Sequence, residues 1–298
     1  MAILVGKETT VVIQGITGRE ASMVAKLMLD YGTSVAAGVT PGRGGQNVEG
    51  VPVYDTLKAA RQEHKLNTSI IYVPPAAVLN AVWEAVANDL QLILIVTENI
   101  PQLDAIKILQ LAKNHDVQVV GPNSVGIISP AQRCKLGAIG GDNTERCFVP
   151  GRIGVISRSG GMTAECSWMV KRAGYGVSTS VSIGGDALIG TPPQALLPLF
   201  EEDEETEAVL LFSEPGTNFE EEVADSLEQR KFTKPLIAYV AGSFTEDMPE
   251  GTVFGHAAAI IERDVGRPST KIERLAKAGA YVAEQFDDII GLLRRVIG

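Results

Sequence analysis

Two residues with the chemistry of a site stand out by their surroundings: the lone imidazole of His256 in GTVFGHAAAII (251–261) and the carboxylate of Glu214 in SEPGT (213–217). Gly255 permits a sharp backbone turn, and the Ala/Ile run after His256 reads as the first turns of a buried helix. An imidazole there would sit at a helix N-terminus, where unpaired N–H groups and the helix dipole favour an anion such as phosphate. The other two of the three histidines, His64 (RQEHK) and His115 (AKNHD), stand in charged helical contexts. His256 and Glu214 both come after apolar strand-like runs, LIAYV (236–240) and AVLLF (208–212), so a parallel sheet would bring them to one edge. A carboxylate beside an imidazole fixes its tautomer and raises its basicity. The competing readings are a structural histidine beside a glycine and a solvated loop acid; the rest of the chain decides between them.

Positioning such a pair needs a sheet, and the hydrophobic pattern supplies one in each half. Residues 10–13 (TVVI), 34–39, 69–73, 92–96 and 117–120 read as strands. Between them lie helical patterns up to Leu29, over 56–63, up to Asp89 and over 103–114. Short apolar strands alternating with helices predict a mainly parallel sheet covered on both faces. Residues 129–151 are rich in Gly, Pro and polar side chains and are expected to form a linker. A second α/β unit then starts at 153–156, with a helix over 162–172, strands at 177–183, 208–212, 236–240 and 280–282, and a final helix over 286–296.

In this architecture ligands bind at the C-terminal ends of the strands. The loops predicted there contain Thr17 and Gly18 (QGITG), Arg43 between glycines (TPGRGG), Pro74 and Pro75 (YVPP), Val96, Thr97 and Glu98 (VTENIP), and GPNSVG at 121–126. A single cation on a glycine-flanked loop suits a phosphate; an ordinary Gly/Pro turn is the alternative for any one loop. In the second half, Ser159, Gly160 and Gly161 place small residues and free N–H groups at a helix start, a cradle for phosphate or carboxylate. The GITG turn lacks the full glycine pattern of dinucleotide folds, and the second strand ends in Gly38-Val39-Thr40 without an acid for a ribose. NAD-linked oxidoreduction is therefore disfavoured.

Composition narrows the class further. The 298 residues allow about two ordinary domains, and 45% hydrophobic with 21% charged residues describes a globular α/β protein. A net charge of −10 without a basic cluster argues against nucleic acid as a partner. The N-terminal MAILVGKETT lacks the regions of a signal peptide, and no apolar run approaches the ~20 residues that span a bilayer. Three cysteines without metal spacing suit a reducing compartment, so a cytoplasmic protein is expected.

Taken together and in order, QGITG, AGVTPGRGG, VTENIP, GPN, ISRSGG, SIGGD, TKP (233–235), YVAG (239–242) and GHAAAII resemble the α subunit of succinyl-CoA synthetase, of the nucleotide-forming acyl-CoA synthetase superfamily. The resemblance covers nearly the whole chain. It implies a Rossmann-like CoA-binding domain over 1–128 and, after the linker, a flavodoxin-like doubly wound ligase domain over 152–298. It also implies an ATP-grasp β subunit, in an αβ or α₂β₂ heteromer, that binds ATP or GTP with Mg²⁺; this chain has no phosphate-binding loop of its own. By the same resemblance His256 is transiently phosphorylated and Glu214 orients it. Thr17, Gly18, Arg43, Val96, Thr97 and Glu98 contact coenzyme A, and Ser159, Gly160, Gly161, Gly184 and Gly185 bind the phosphate and the acid. No metal ligand is expected in this chain.

Several positions depart from the pattern. Arg43 replaces the usual lysine and Ser124 a cysteine, while Glu214 survives in an altered loop. Ala164 stands where a tyrosine is usual, the basic residues before the histidine are replaced by TEDMPEGTVF, and GHAGA becomes GHAAA. SRSGGM and VFGH look more like ATP-citrate lyase and citryl-CoA synthetase, although this sequence has no citrate-synthase-like domain. The acid thus stays open between succinate, expected first, and citrate, malate or another small carboxylate or sulfonate. A non-catalytic CoA-binding regulatory subunit is the alternative of another kind.

Overall fold

The structure is a computed structural model that describes residues 2–248, 261 and 266–298. The first half runs β1 (Thr10–Gln14), α1 (Arg19–Tyr31), β2 (Ser34–Val39), β3 (Asn47–Val48), β4 (Val51–Tyr54), α2 (Leu57–Glu63), β5 (Thr68–Ile71), α3 (Val78–Ala87), β6 (Leu92–Ile95), α4 (Gln102–His115) and β7 (Gln118–Val120). Every residue of β5 (TSII) and β6 (LILI) is buried, as expected where helices cover both faces of a sheet. In α1 the buried Ala21, Val24, Ala25 and Met28 recur at helical spacing and form the stripe that docks on the strands.

These strands form a sheet in the order β3-β4-β2-β1-β5-β6-β7, parallel except for the β3–β4 hairpin. From β1 the chain crosses to β2 on one side and later returns to β5 on the other. The strand order therefore reverses at β1, which opens a crevice at the carboxyl ends of β1 and β5.

The second half repeats the design. It contains β8 (Gly126–Ser129), β9 (Cys134–Gly137), β10 (Pro150–Ser157), α5 (Gly160–Arg172), β11 (Val177–Ser182), α6 (Pro193–Glu202), β12 (Ala208–Ser213), α7 (Phe219–Glu228), β13 (Leu236–Val240), α8 (Pro268–Lys277), β14 (Tyr281–Val282) and α9 (Asp288–Ile297). The sheet order is β14-β13-β12-β10-β11-β8-β9, with β10 central and β11 and β12 parallel on either side of it. The second crevice thus opens at the end of β10. Two mostly parallel α/β sheets are the expected fold class.

The stretch expected to be a linker needs correction. Residues 129–151 hold the end of β8, all of β9 and the start of β10, and the β8–β9 hairpin extends the second sheet antiparallel to β11. The second sheet's own strands therefore begin at Gly126, not at 152. A lysine hid the strand: Lys135 is 1% exposed, with its Nζ donating to the Gly141 carbonyl at 2.7 Å and lying 5.5 Å from the Tyr31 ring centre. Thr33, next to the end of α1, ties the halves together by donating its Oγ1 to the Lys135 carbonyl at 2.8 Å. One apolar cluster accordingly runs from Val24 and Met28 on α1 through Ile127 and Leu136 to Val181 and Leu211. No helix among the described residues is long and apolar enough to cross a membrane.

Candidate active site

At the first crevice, the β1–α1 turn is closed by the Gly15 N–H donating to the Val39 carbonyl at 2.7 Å. Gly15 has φ 89°, and a Cβ there would meet the Tyr72 carbonyl oxygen at 2.9 Å, so glycine lets the turn lie directly on the β5 loop. Gly18 caps α1 with no side-chain bond, which leaves the first-turn N–H groups to solvent or ligand. Thr17 Oγ1 donates to Thr40 Oγ1 at 3.2 Å, joining this turn to the loop that holds Arg43. Arg43 is exposed on a loop fixed by Gly44 N–H donating to Asp55 Oδ1 at 2.9 Å.

Beside these loops lies a cleft of about 650 Å³, lined by Tyr72, Pro74, Val96, Thr97, Glu98 and Asn123 and, from the second half, Gly160. Thr97 is held in place by its Oγ1 donating to the Val73 carbonyl at 2.7 Å. The Tyr72 hydroxyl is buried without a partner, and burial pushes its ionisation well above the usual phenol range. It is a neutral polar group at the cleft wall with spare hydrogen-bonding capacity. Of the sequence-predicted CoA residues, Val96, Thr97 and Glu98 line this cleft; Thr17, Gly18 and Arg43 stand on neighbouring loops.

At the second crevice, Ser159 caps α5, its Oγ accepting from the Met162 N–H at 3.4 Å and its carbonyl accepting from Thr163 Oγ1 at 2.8 Å. Gly161 is exposed, with open space where a Cβ would be. Gly184 has φ 106°, and a Cβ there would lie 2.0 Å from the Pro122 carbonyl oxygen. The next N–H, that of Gly185, donates to the Asn123 carbonyl at 3.2 Å, and Asn123 Nδ2 donates to Asp186 Oδ1 at 3.1 Å. Ser124 adds its Oγ, which donates to the Ser182 carbonyl at 2.5 Å. The two crevices are thus stitched side by side.

Arg158, which sequence reading did not single out, lies at the centre of the second crevice. It is 1% exposed, and its Nη2 donates to the carbonyls of Gly185 and Asp186 at 3.3 and 3.1 Å. Its Nε and Nη1 are buried without partners, and the guanidinium lies 5.6 Å from the Phe219 ring centre. Burial lowers its pKa, while the carboxylates of Glu214, Glu220 and Asp186 act to keep it charged. The available signal was its place between a strand end and a helix cap, in S-R-S-G-G.

Glu214 follows β12 and is half-buried, and its backbone carbonyl accepts from Lys271 Nζ at 3.0 Å. β10 pairs in parallel with both β11 and β12, so Glu214 after β12 stands at the same sheet edge as Gly184 and Gly185 after β11. His256 lies outside the described residues, and with it the expected contact to Glu214. Among the described residues no cluster of His, Cys, Asp and Glu could hold a metal ion.

Two family models match the chain in this arrangement: a CoA binding domain over residues 6–99 and a CoA-ligase domain over 156–281. A CoA-binding module followed by a ligase module defines the class. The chain is 44% identical over 297 residues to the succinate–CoA ligase [ADP-forming] subunit alpha 1 of Archaeoglobus fulgidus, covering 100% of this chain and 99% of that protein. It is 42% identical to an ADP-forming sulfoacetate–CoA ligase subunit of an Acholeplasma species, covering 96% of this chain and 95% of that one. In fold it is similar to the ATP citrate lyase of Methanosaeta concilii in complex with (3S)-citryl-CoA, with TM-score 0.91 and 24% identity over 99% of this chain and 50% of that one. The chain belongs to the family of alpha subunits of nucleoside-diphosphate-forming CoA ligases. Coenzyme A is the ligand such a chain binds, and an alpha subunit implies a beta-subunit partner.

Proposed function

We propose that this chain supplies the CoA site and the phosphohistidine of a dicarboxylate–CoA ligase, with succinate as its first substrate. The observation behind this reading is the shared cleft: Gly160, at the start of the phosphate-cradling helix, lines the same space as Val96, Thr97 and Glu98. His256 accepts a phosphoryl group from ATP or GTP held with Mg²⁺ by an ATP-grasp partner subunit in an αβ or α₂β₂ complex. Glu214 holds the imidazole in the productive tautomer. Ser159, Gly160, Gly161, Gly184 and Gly185 line the path of the phosphoryl group and the acid, and the N–H groups at the start of α5 face the phosphoryl group as it passes to the acid carboxylate. Thr17, Gly18, Arg43, Val96, Thr97 and Glu98 hold coenzyme A, whose thiol displaces phosphate from the acyl phosphate and leaves the thioester. Splitting activation into covalent steps lowers each barrier, because a free carboxylate is a poor acyl donor. The three cysteines, all free, fit a cytoplasmic setting.

The test is phosphate labelling of the complex with its partner subunit by ATP and Mg²⁺. Acid-labile label on the wild type, absent in His256→Asn, supports the reading. CoA binding without label would instead make the chain a regulatory subunit.

A second reading keeps the chemistry and changes the acid to one with a bulkier or sulfonate terminus, as the name of the sulfoacetate–CoA ligase relative suggests. In its favour, Ala164 borders a cavity of about 390 Å³ together with Asn143, Arg146 and Trp168, where a tyrosine would fill space. Discharging the labelled enzyme with succinate, malate, citrate and sulfoacetate in turn separates the two.

A further inference from the structure

The turn that carries Glu214 is gripped from beneath by a buried cation that has no place in the reaction as proposed. Lys271, on α8, is 0% exposed. An ammonium has three N–H groups, and three acceptors meet this one: the carboxylate of Glu220, itself 1% exposed, and the carbonyls of Glu214 at 3.0 Å and Gly216 at 2.5 Å. The segment leading into α8 grips the same turn again, through Gly216 N–H donating to the Gly266 carbonyl at 2.9 Å. On the other side Arg158, held to Gly185 and Asp186, feels the Glu214 carboxylate.

A buried ion pair is a poor device for stability alone. Taking both charges out of water cancels most of their attraction, and a well-packed apolar pair usually serves as well or better. An apolar pair could not replace the two bonds from Lys271 to the backbone of 214–216. We infer that Lys271 is a positioning residue for Glu214, and that Glu220, paired with its ammonium, holds it aimed at that turn. The inference rests on the reading above, in which Glu214 orients His256. Reacting groups misplaced by as little as 1 Å lose about 100-fold in rate, so a fixed turn has catalytic value.

The experiment measures single-turnover phosphoryl transfer from ATP·Mg²⁺, KM for CoA and the unfolding midpoint, all on the complex of this chain with its partner subunit. The variants are Lys271→Met with Glu220→Leu, and Lys271→Arg, which keeps the charge pair but misaligns the carbonyl contacts. The double variant is expected to stay folded but to melt below wild type, because the carbonyls of Glu214 and Gly216 lose their donor, to transfer phosphate about 100-fold more slowly and to keep its KM for CoA. Lys271→Arg should stay folded and slow transfer by about 10-fold, less than the double variant because its charge and donors remain. Labelled wild type with both variants transferring at wild-type rate overturns the inference alone. Wild type that takes no acid-labile label overturns the phosphohistidine reading and this inference together.

Discussion

The Gly185 N–H donates to the Asn123 carbonyl at 3.2 Å, so the loop after β11 rests on the loop after β7. That bond crosses between the two sheets at the point where their ligand-binding edges meet. It exists because Gly184, the preceding residue, lies almost on the Pro122 carbonyl.

Gly184→Ala should therefore be costly. It puts a Cβ 2.0 Å from a backbone oxygen at a φ of 106°, and neither the atom nor the dihedral can relax without parting the loops. We expect a loss of about 1–3 kcal/mol in denaturant-midpoint measurements, together with a raised KM for CoA. An alanine variant with wild-type stability would show that the loops are not pressed together in solution.

Glu214→Gln keeps the size of the side chain and removes its charge. If the carboxylate orients an imidazole, phosphorylation of the complex should slow by about 100-fold or more while CoA affinity is unchanged. Rapid-quench labelling and CoA titration calorimetry read the two quantities separately.

Ala164→Tyr refills the cavity beside Asn143, Arg146 and Trp168. For an enzyme whose acid occupies that space, the ratio of kcat/KM between the bulkier acid and succinate should fall by about 10-fold or more. A ratio that does not move means the acid lies elsewhere.

Lys135 provides a pH test. Burial holds its folded pKa down to about 8, against an ordinary 10.5. Between those values the unfolded chain binds the extra proton, so this residue's contribution to stability rises with pH from about 8 upward and is complete by about 10.5. Cys134, pushed up to about 11, and Tyr31, to about 12, act the other way once pH passes their ordinary values of 9.0 and 10.0. The clean window is thus pH 8 to 9, and in urea titrations wild type should gain stability there relative to Lys135→Met. Parallel curves would refute the assignment.

The strands that build the two crevices were legible because they are uniform apolar runs between glycine-containing loops. The place of Val96, Thr97, Glu98 and Gly160 at the strand ends that border the cleft was legible for the same reason. What escaped was structure whose reason lies far away in the chain. The β3–β4 hairpin is only two and four residues long, too short for a periodic signal. β9 reads C-K-L-G, and its lysine is buried because Gly141 and Thr144 receive the ammonium. Arg158 and Lys271 look like surface charges in sequence. Each becomes buried only when carbonyls from elements far along the chain close over it, and no local pattern records that. Pro198, inside α6, likewise masks a helix that its buried Leu196, Leu197 and Phe200 hold in place.

The β8–β9 hairpin has a mechanical meaning as well. It adds strands to one sheet while packing on α1 of the other, so the halves share an apolar cluster instead of meeting across a hinge. A molecule built this way does not open and shut like a jaw. Its two ligand edges should therefore keep their separation, and in the reaction proposed above the travel that brings the thiol to the activated acid would fall to the bound molecule's own flexible arm or to the partner subunit. The same sharing should make the chain melt as a single cooperative unit, and a cut at residue 128 would strand half a hairpin on each fragment.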